Sequence, residues 1–217
     1  MAAPIITPFV LGEYQTNCFV VTPGTPAAGM SCWIVDCGFQ PEQMFQWIER
    51  HRLRPTAILL THSHLDHIAG VDRALSRFGR LPLYIHEAEA RFCSDAMLNL
   101  SALIGMPVTC TEPDHLFKDG EVLELNGSRW RVMHAPGHSP GGACLIHDES
   151  NQAIVGDTLF AGSIGRFDFP TSNAQHLRAT IQRLMTLPDD MMIYPGHGPK
   201  TTIGEERMQN PYVLEGF

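Results

Sequence analysis

Between Thr61 and His67 the sequence reads T-H-S-H-L-D-H, which places four potential metal ligands within one short segment. Imidazole and carboxylate are the donors that zinc and its neighbours take in catalytic sites. His62 and His64 stand two apart, so in an extended loop their side chains project the same way and can share one ion. Asp66 and His67 are adjacent and diverge, which suits a second, neighbouring ion. A catalytic ion usually takes three or more protein ligands and keeps a place for water, so the loop needs partners from elsewhere. Three candidates lie downstream, each behind an apolar run: His138 after W-R-V-M-H-A-P-G, Asp157 after A-I-V-G, and His197 after M-M-I-Y-P-G. This predicts His62, His64, His138 and Asp157 around one ion and Asp66, His67, His197 and Asp157 around the other. Asp157 bridges the two at the roughly 3.5–4 Å spacing of two-metal sites. The alternative for T-H-S-H-L-D-H is a solvated polar loop, which the downstream set disfavours.

These residues share a position at the ends of strand-like runs. Ala57-Ile58-Leu59-Leu60 precedes His62, and Trp33-Ile34-Val35 precedes Asp36. Ligands in α/β architectures gather outside the carboxyl ends of strands, where distant parts of the chain meet. Asp36 is expected to support the site by accepting a hydrogen bond from a ligand imidazole. The runs before Cys37 read as β-strands, and Pro41 opens a helix to about Arg52. A helix over Val71–Phe78 and a strand over Leu81–Ile85 complete a β-α-β alternation. Val122–Leu125 and Trp130–Met133 form a hairpin around Asn126-Gly127. Ala143–Ile146 pairs with Ala153–Val155, and a helix over Gln175–Leu187 leads to a strand over Met191–Tyr194. The pattern predicts a two-layer β core flanked by helices. His51, His86, His115, His134, His147 and His176 lack the strand-end placement and are assigned to surface or packing.

Composition narrows the function classes. At 44% hydrophobic and 18% charged, the 217 residues are those of a globular protein that fits a single domain over 1–217. A formal charge of -8 with no Lys/Arg run argues against nucleic acid. No apolar stretch approaches the ~20 residues of a membrane span, and no leader pattern opens the chain, so the expected location is the cytoplasm. Cys18, Cys32, Cys37, Cys93, Cys110 and Cys144 form no C-x-x-C pair and are read as free thiols.

The H-x-H-x-D-H motif with His138, Asp157 and His197 in order resembles the metallo-β-lactamase superfamily over nearly the whole chain, and within it the glyoxalase II-like hydroxyacylglutathione hydrolases. The resemblance implies an α/β fold, the αββα four-layer sandwich, holding two divalent ions: zinc first, with iron or manganese as alternatives. Asp157–Pro170 (D-T-L-F-A-G-S-I-G-R-F-D-F-P) looks like the glyoxalase II and persulfide dioxygenase branches. Pro195–Glu206 resembles short bacterial glyoxalase II-like proteins. True β-lactamases of the superfamily lack the bridging aspartate, which argues against antibiotic hydrolysis. Glyoxalase II proper carries a C-terminal helical extension for glutathione, and the chain is expected to lack that domain. Asp168 stands where the longer enzymes have an aromatic residue.

The implied activity is cleavage of a thioester such as S-D-lactoylglutathione to D-lactate and glutathione by a metal-bound hydroxide. A metal lowers the pKa of its water from about 15.7 toward 7, which makes the nucleophile available at neutral pH. Asp66 would bind metal and orient that hydroxide, and Arg166 would meet a substrate carboxylate or fix its loop by a salt bridge. The rival reading is a persulfide dioxygenase-like oxidoreductase, with His62, His138 and Asp157 around one iron. A metal-binding module without catalysis is a third reading, which the complete donor set disfavours. The partner is a small-molecule thioester, with no nucleic acid and no membrane; the acyl group and the oligomeric state are left open.

Overall fold

The computed structural model describes residues 3–217, folded as two six-stranded sheets with helices on both outer faces. The first sheet takes β1 (Ile5–Leu11), β2 (Thr16–Thr22), β3 (Ser31–Val35), β4 (Arg54–Leu59), β5 (Leu83–His86) and β6 (His115–Phe117), in that spatial order. The first three run antiparallel and the rest parallel, with α1 (Glu42–Arg50), the short α2 (Leu65–Ile68) and α3 (Val71–Phe78) in the crossovers. The second sheet has β7 (Val122–Leu125), β8 (Ser128–His134), β9 (Ala143–His147) and β10 (Gln152–Gly156). A two-stranded ribbon, β11 (Leu159–Phe160) with β12 (Ser163–Ile164), and α4 (Ala174–Leu184) follow. Then come β13 (Met192–Pro195), β14 (Thr201–Thr202), α5 (Ile203–Gln209) and α6 (Pro211–Leu214). The spatial order of the second sheet is β14-β13-β10-β9-β8-β7.

Side-chain alternation along the strands produces the layers. Phe19, Val21, Trp33 and Val35 face inward and meet Leu123, Trp130, Val132 and Leu145 between the sheets, with Trp33 and Trp130 edge to face at 6.4 Å. Their neighbours Cys18, Val20, Cys32 and Ile34 point outward under Met44, Phe45 and Ile48 of α1. The second sheet does the same: Met133, Cys144, Ile146 and Ala153 pack under Leu177, Ile181 and Leu184 of α4. The order is therefore α-β-β-α. This is why β2, β3 and β9 are buried along their whole length, as strands covered on both faces must be.

The expected helices and strands all form, with small boundary shifts. Pro41 is the N-cap of α1 and not its first residue, α4 stops at Leu184, and β5 runs to His86. Asn126 and Gly127 both take positive φ, 48° and 86°, the twist that a two-residue hairpin loop needs. All six cysteines are buried and free. Among the described residues no helix is long and apolar enough to cross a membrane.

Candidate metal centre

In each sheet the parallel strands point their carboxyl ends to one edge, and the two edges face each other. Asn17 N–H donates to Gly196 O at 2.7 Å and Ala143 N–H to Thr61 O at 2.8 Å, which stitches the edges together. Asp36 follows β3, Thr61–His67 follows β4, His138 lies four residues past β8, Asp157 follows β10 and His197 stands two past β13.

The seven expected donors come together in two groups. His62 Nε2 and His138 Nε2 lie 3.1 and 2.9 Å from His64 Nδ1, so three ring nitrogens converge. Asp66 Oδ2 lies 3.4 Å from His67 Nε2 and 3.2 Å from His197 Nε2. Asp157 stands between them: its Oδ2 is 3.6 Å from His138 Nε2 and 3.4 Å from His197 Nε2, and its Oδ1 is 3.4 Å from His67 Nε2. The ligand atoms of His62-His64-His138, of His62-His67-Asp157 and of Asp66-His67-His197 each fall within 4.8 Å of one another. Gly196 permits this approach, because a Cβ there would fall on Asp157 Oδ1 and close on the His67 ring.

The surrounding acceptors fix which nitrogen faces inward. Asp36 Oδ2 takes the proton of His67 Nδ1 at 2.9 Å and the hydroxyl of Thr61 at 2.7 Å. That hydroxyl lies 3.2 Å from His62 Nδ1 and, having given its proton to Asp36, can only accept there. Arg166 O takes the proton of His138 Nδ1 at 2.9 Å. In all three rings Nε2 is left with its lone pair toward the cluster, the tautomer a metal needs. Buried His67 Nε2 and Asp157 Oδ1, both facing the cluster, have no hydrogen-bond partner, unusual for buried polar atoms. The donor set, its aim and these orphaned atoms fit divalent cations.

The electrostatics agree. Burial, reinforced by the neighbouring imidazoles, holds His62 well below the ordinary histidine range and His64 down to about 3, so both are neutral and able to ligate. Burial alone would raise Asp66, yet His67, His197 and Thr16 bring it down to about 2. Burial opposes charge on His197 too, but Asp157 and Asp66 lift it to about 9; Asp66, Asp36 and Asp157 lift His67 in the same direction. Without metal, protons on these rings offset the carboxylates.

This has a measurable consequence. An unfolded histidine titrates near 6.5, so the stabilisation from His197 is complete below that value and is lost as pH rises through about 9. Chelated protein is therefore expected to lose melting temperature between about pH 7 and 9, while metal-loaded protein does not follow. A melting temperature of chelated protein that stays flat across the window would remove the proton from His197.

Asp36 is fully buried behind His67, with φ at 57°, and does not reach the cleft. Arg166 stands at the cleft rim, paired through Nε and an Nη with Asp168 at 2.9 Å each, its guanidinium 4.3 Å from the Phe169 ring centre. Of its two sequence readings, the structure displays the loop-fixing salt bridge. His86 stacks on His134 at 3.8 Å, and the other histidines left out of the site stay out of it.

Three contributors escaped the sequence reading. Thr16 donates to Asp66 Oδ2 at 2.7 Å, and Asn17 Nδ2 holds Pro195 O and Gly198 O around His197. Glu89 is fully buried: Oε2 accepts from Ser63 N–H at 2.8 Å and Ser63 Oγ at 2.6 Å, and Oε1 accepts from Gly141 N–H at 2.8 Å. It ties the loop of His62 and His64 to that of His138. A signal for Glu89 existed, since H-E-A-E ends the β5 run just as D and H end the others.

The family model of the metallo-beta-lactamase superfamily matches residues 11–197. A probable metallo-hydrolase of Bacillus subtilis, YqgX, is 37% identical over 95% of this chain and 96% of its own length. The hydroxyacylglutathione hydrolase GloC of Haemophilus influenzae is 34% identical over 92% and 93%. Among solved structures, BLEG-1 B3 metallo-beta-lactamase superposes with a TM-score of 0.89 at 36% identity, covering 96% of this chain and 99% of the other. TTHA1623, in a di-iron-bound form, superposes at 0.83 with 32% identity, covering 95% and 99%.

Proposed function

The chain belongs to the metallo-beta-lactamase superfamily, and on that premise we propose that it is a two-metal hydrolase of thioesters, with S-D-lactoylglutathione as the reference substrate. The observation that carries the reading is Asp157, whose two oxygens face both donor groups. His62, His64 and His138 would hold one ion and Asp66, His67 and His197 the other, with Asp157 shared. The likeness to GloC supports the thioester, and the di-iron relative supports a pair of ions, zinc or iron among them.

Ions held there would supply a Lewis acid for the scissile carbonyl and water of lowered pKa. Asp66 accepts the Thr16 hydroxyl and lines the cleft, where its carboxylate can orient the attacking water by accepting its proton in a hydrogen bond. Asp36, through His67 and Thr61, positions ligands without touching substrate. The leaving thiolate is a weak base and departs without a protonating side chain.

The test is metal content after purification without added metal, combined with assays on S-D-lactoylglutathione, on glutathione persulfide with oxygen consumption, and on a β-lactam. Two ions per chain with thioester cleavage is the expected result. One iron with persulfide-dependent oxygen uptake, or β-lactam turnover alone, with no thioesterase activity would overturn it.

A further inference from the structure

Above the metal centre the cleft has a cavity volume of about 590 Å³, a size typical of small-ligand sites. Its floor is the His/Asp cluster. Leu100, Ile104 and Met106 form one wall, and Phe160, Ile164 and Phe169 the other. Ile104 and Met106 are 56% and 45% exposed, so large apolar side chains stand in water at the mouth of a catalytic cleft.

The polar groups of these walls are neutral or already paired: Tyr14 and Ser163 offer only hydroxyls, and Asn99 and Arg166 are engaged with neighbours. Asn99 donates to Phe92 O and Val108 O and accepts from Ser101 N–H and Oγ, so its amide is spent within its own loop. Among the described residues Arg166 is the one arginine or lysine lining the cleft, and the Nε side of its guanidinium is held by Asp168. A tripeptide thiol such as glutathione carries two carboxylates and an ammonium, and these walls offer it one cation that is already paired. What they reward is removal of apolar surface from water.

We propose that the part of the substrate lying along this cleft is apolar, a branched aliphatic or aromatic group larger than lactoyl. The inference rests on the thioester reading of the same site and names the class of thioester. It places the scissile carbonyl over the His/Asp cluster and the apolar group between the 100–106 wall and the β11–β12 wall.

The experiment uses the metal-loaded full chain and two thiols, glutathione and the uncharged N-acetylcysteamine. Each is acylated with lactoyl, isovaleryl, hexanoyl and phenylacetyl groups. The expected result is a rise in kcat/KM of about two- to fourfold per added buried carbon, and about 30-fold or more from lactoyl to phenylacetyl. Ile104→Asp and Met106→Asp should each shrink that ratio. Phenylacetate should also inhibit the unmutated enzyme more strongly than lactate, which needs no variant to fold. A ratio at or below one on both thiols, or a ratio that neither substitution moves, overturns the proposal while thioester cleavage stands. Failure to cleave any thioester is a different result and overturns the thioester reading along with it.

Discussion

Asp157→Ala is expected to lower thioester turnover by roughly 10³-fold and to leave the purified protein with at most one of its two metal ions. Its carboxylate is placed against both donor groups, with Oδ2 at 3.4 Å from His197 and 3.6 Å from His138, and Oδ1 at 3.4 Å from His67. Burial would push this carboxyl toward its neutral form, but His67, His197 and His138 hold it well below the usual range, so it is present as an anion. Removing it takes one negative charge from a cluster that must neutralise two dications. Elemental analysis and kcat on the same preparation check the prediction. Two ions retained after the substitution would take Asp157 off the list of ligands.

Glu89→Ala is expected to lower stability by about 2–5 kcal/mol and to reduce metal content at the His62-His64-His138 group. The substitution leaves Ser63 N–H and Gly141 N–H without an acceptor in a fully buried place. At roughly 2–4 °C per kcal/mol for a chain of this size, the melting temperature should fall by about 4–20 °C. Glu89→Gln tests whether volume or charge matters. Its amide has one oxygen for donors on two sides, so its NH2 must face one N–H, and it should fail to rescue the variant. A purely structural role would lower the melting temperature and leave metal stoichiometry at saturating metal intact. Loss of metal at temperatures where the variant is still folded shows the positioning role.

The seven residues of the cluster were legible as candidates because the loop that carries each follows an apolar run of a length that fits a strand, and strand ends are where α/β folds collect ligands. The same logic reached Asp36, whose carboxylate does take the His67 proton. It stopped short of Glu89, although the β5 run ends in H-E-A-E, because an acidic residue in a turn is ordinarily solvated and nothing local marks it as buried. Thr202-x-x-Glu205 is a second readable signal: the capping box it forms starts α5, and the next residue, Glu206, accepts from Gly162 N–H at the tip of the ribbon after Asp157. Thr16 and Asn17 left no trace in the sequence, since they act on partners 50 and 178 residues away. The irregular stretch after Asn99 gave no hint that its apolar side chains would wall a cleft.

The T-H-S-H-L-D-H segment by itself marked one loop as carrying four potential metal ligands. Spacing along a chain is a local property, and alternation or turn chemistry reads out within a few residues. Whether His64 Nδ1 meets His138 Nε2 at 2.9 Å across 74 residues was decided by the packing of two sheets face to face, with Asp36 and Glu89 as clamps. So was the stance of Asp157 between the groups. Distances of that kind depend on how close-packed layers settle against each other, a sum over the whole core that no short stretch of sequence contains.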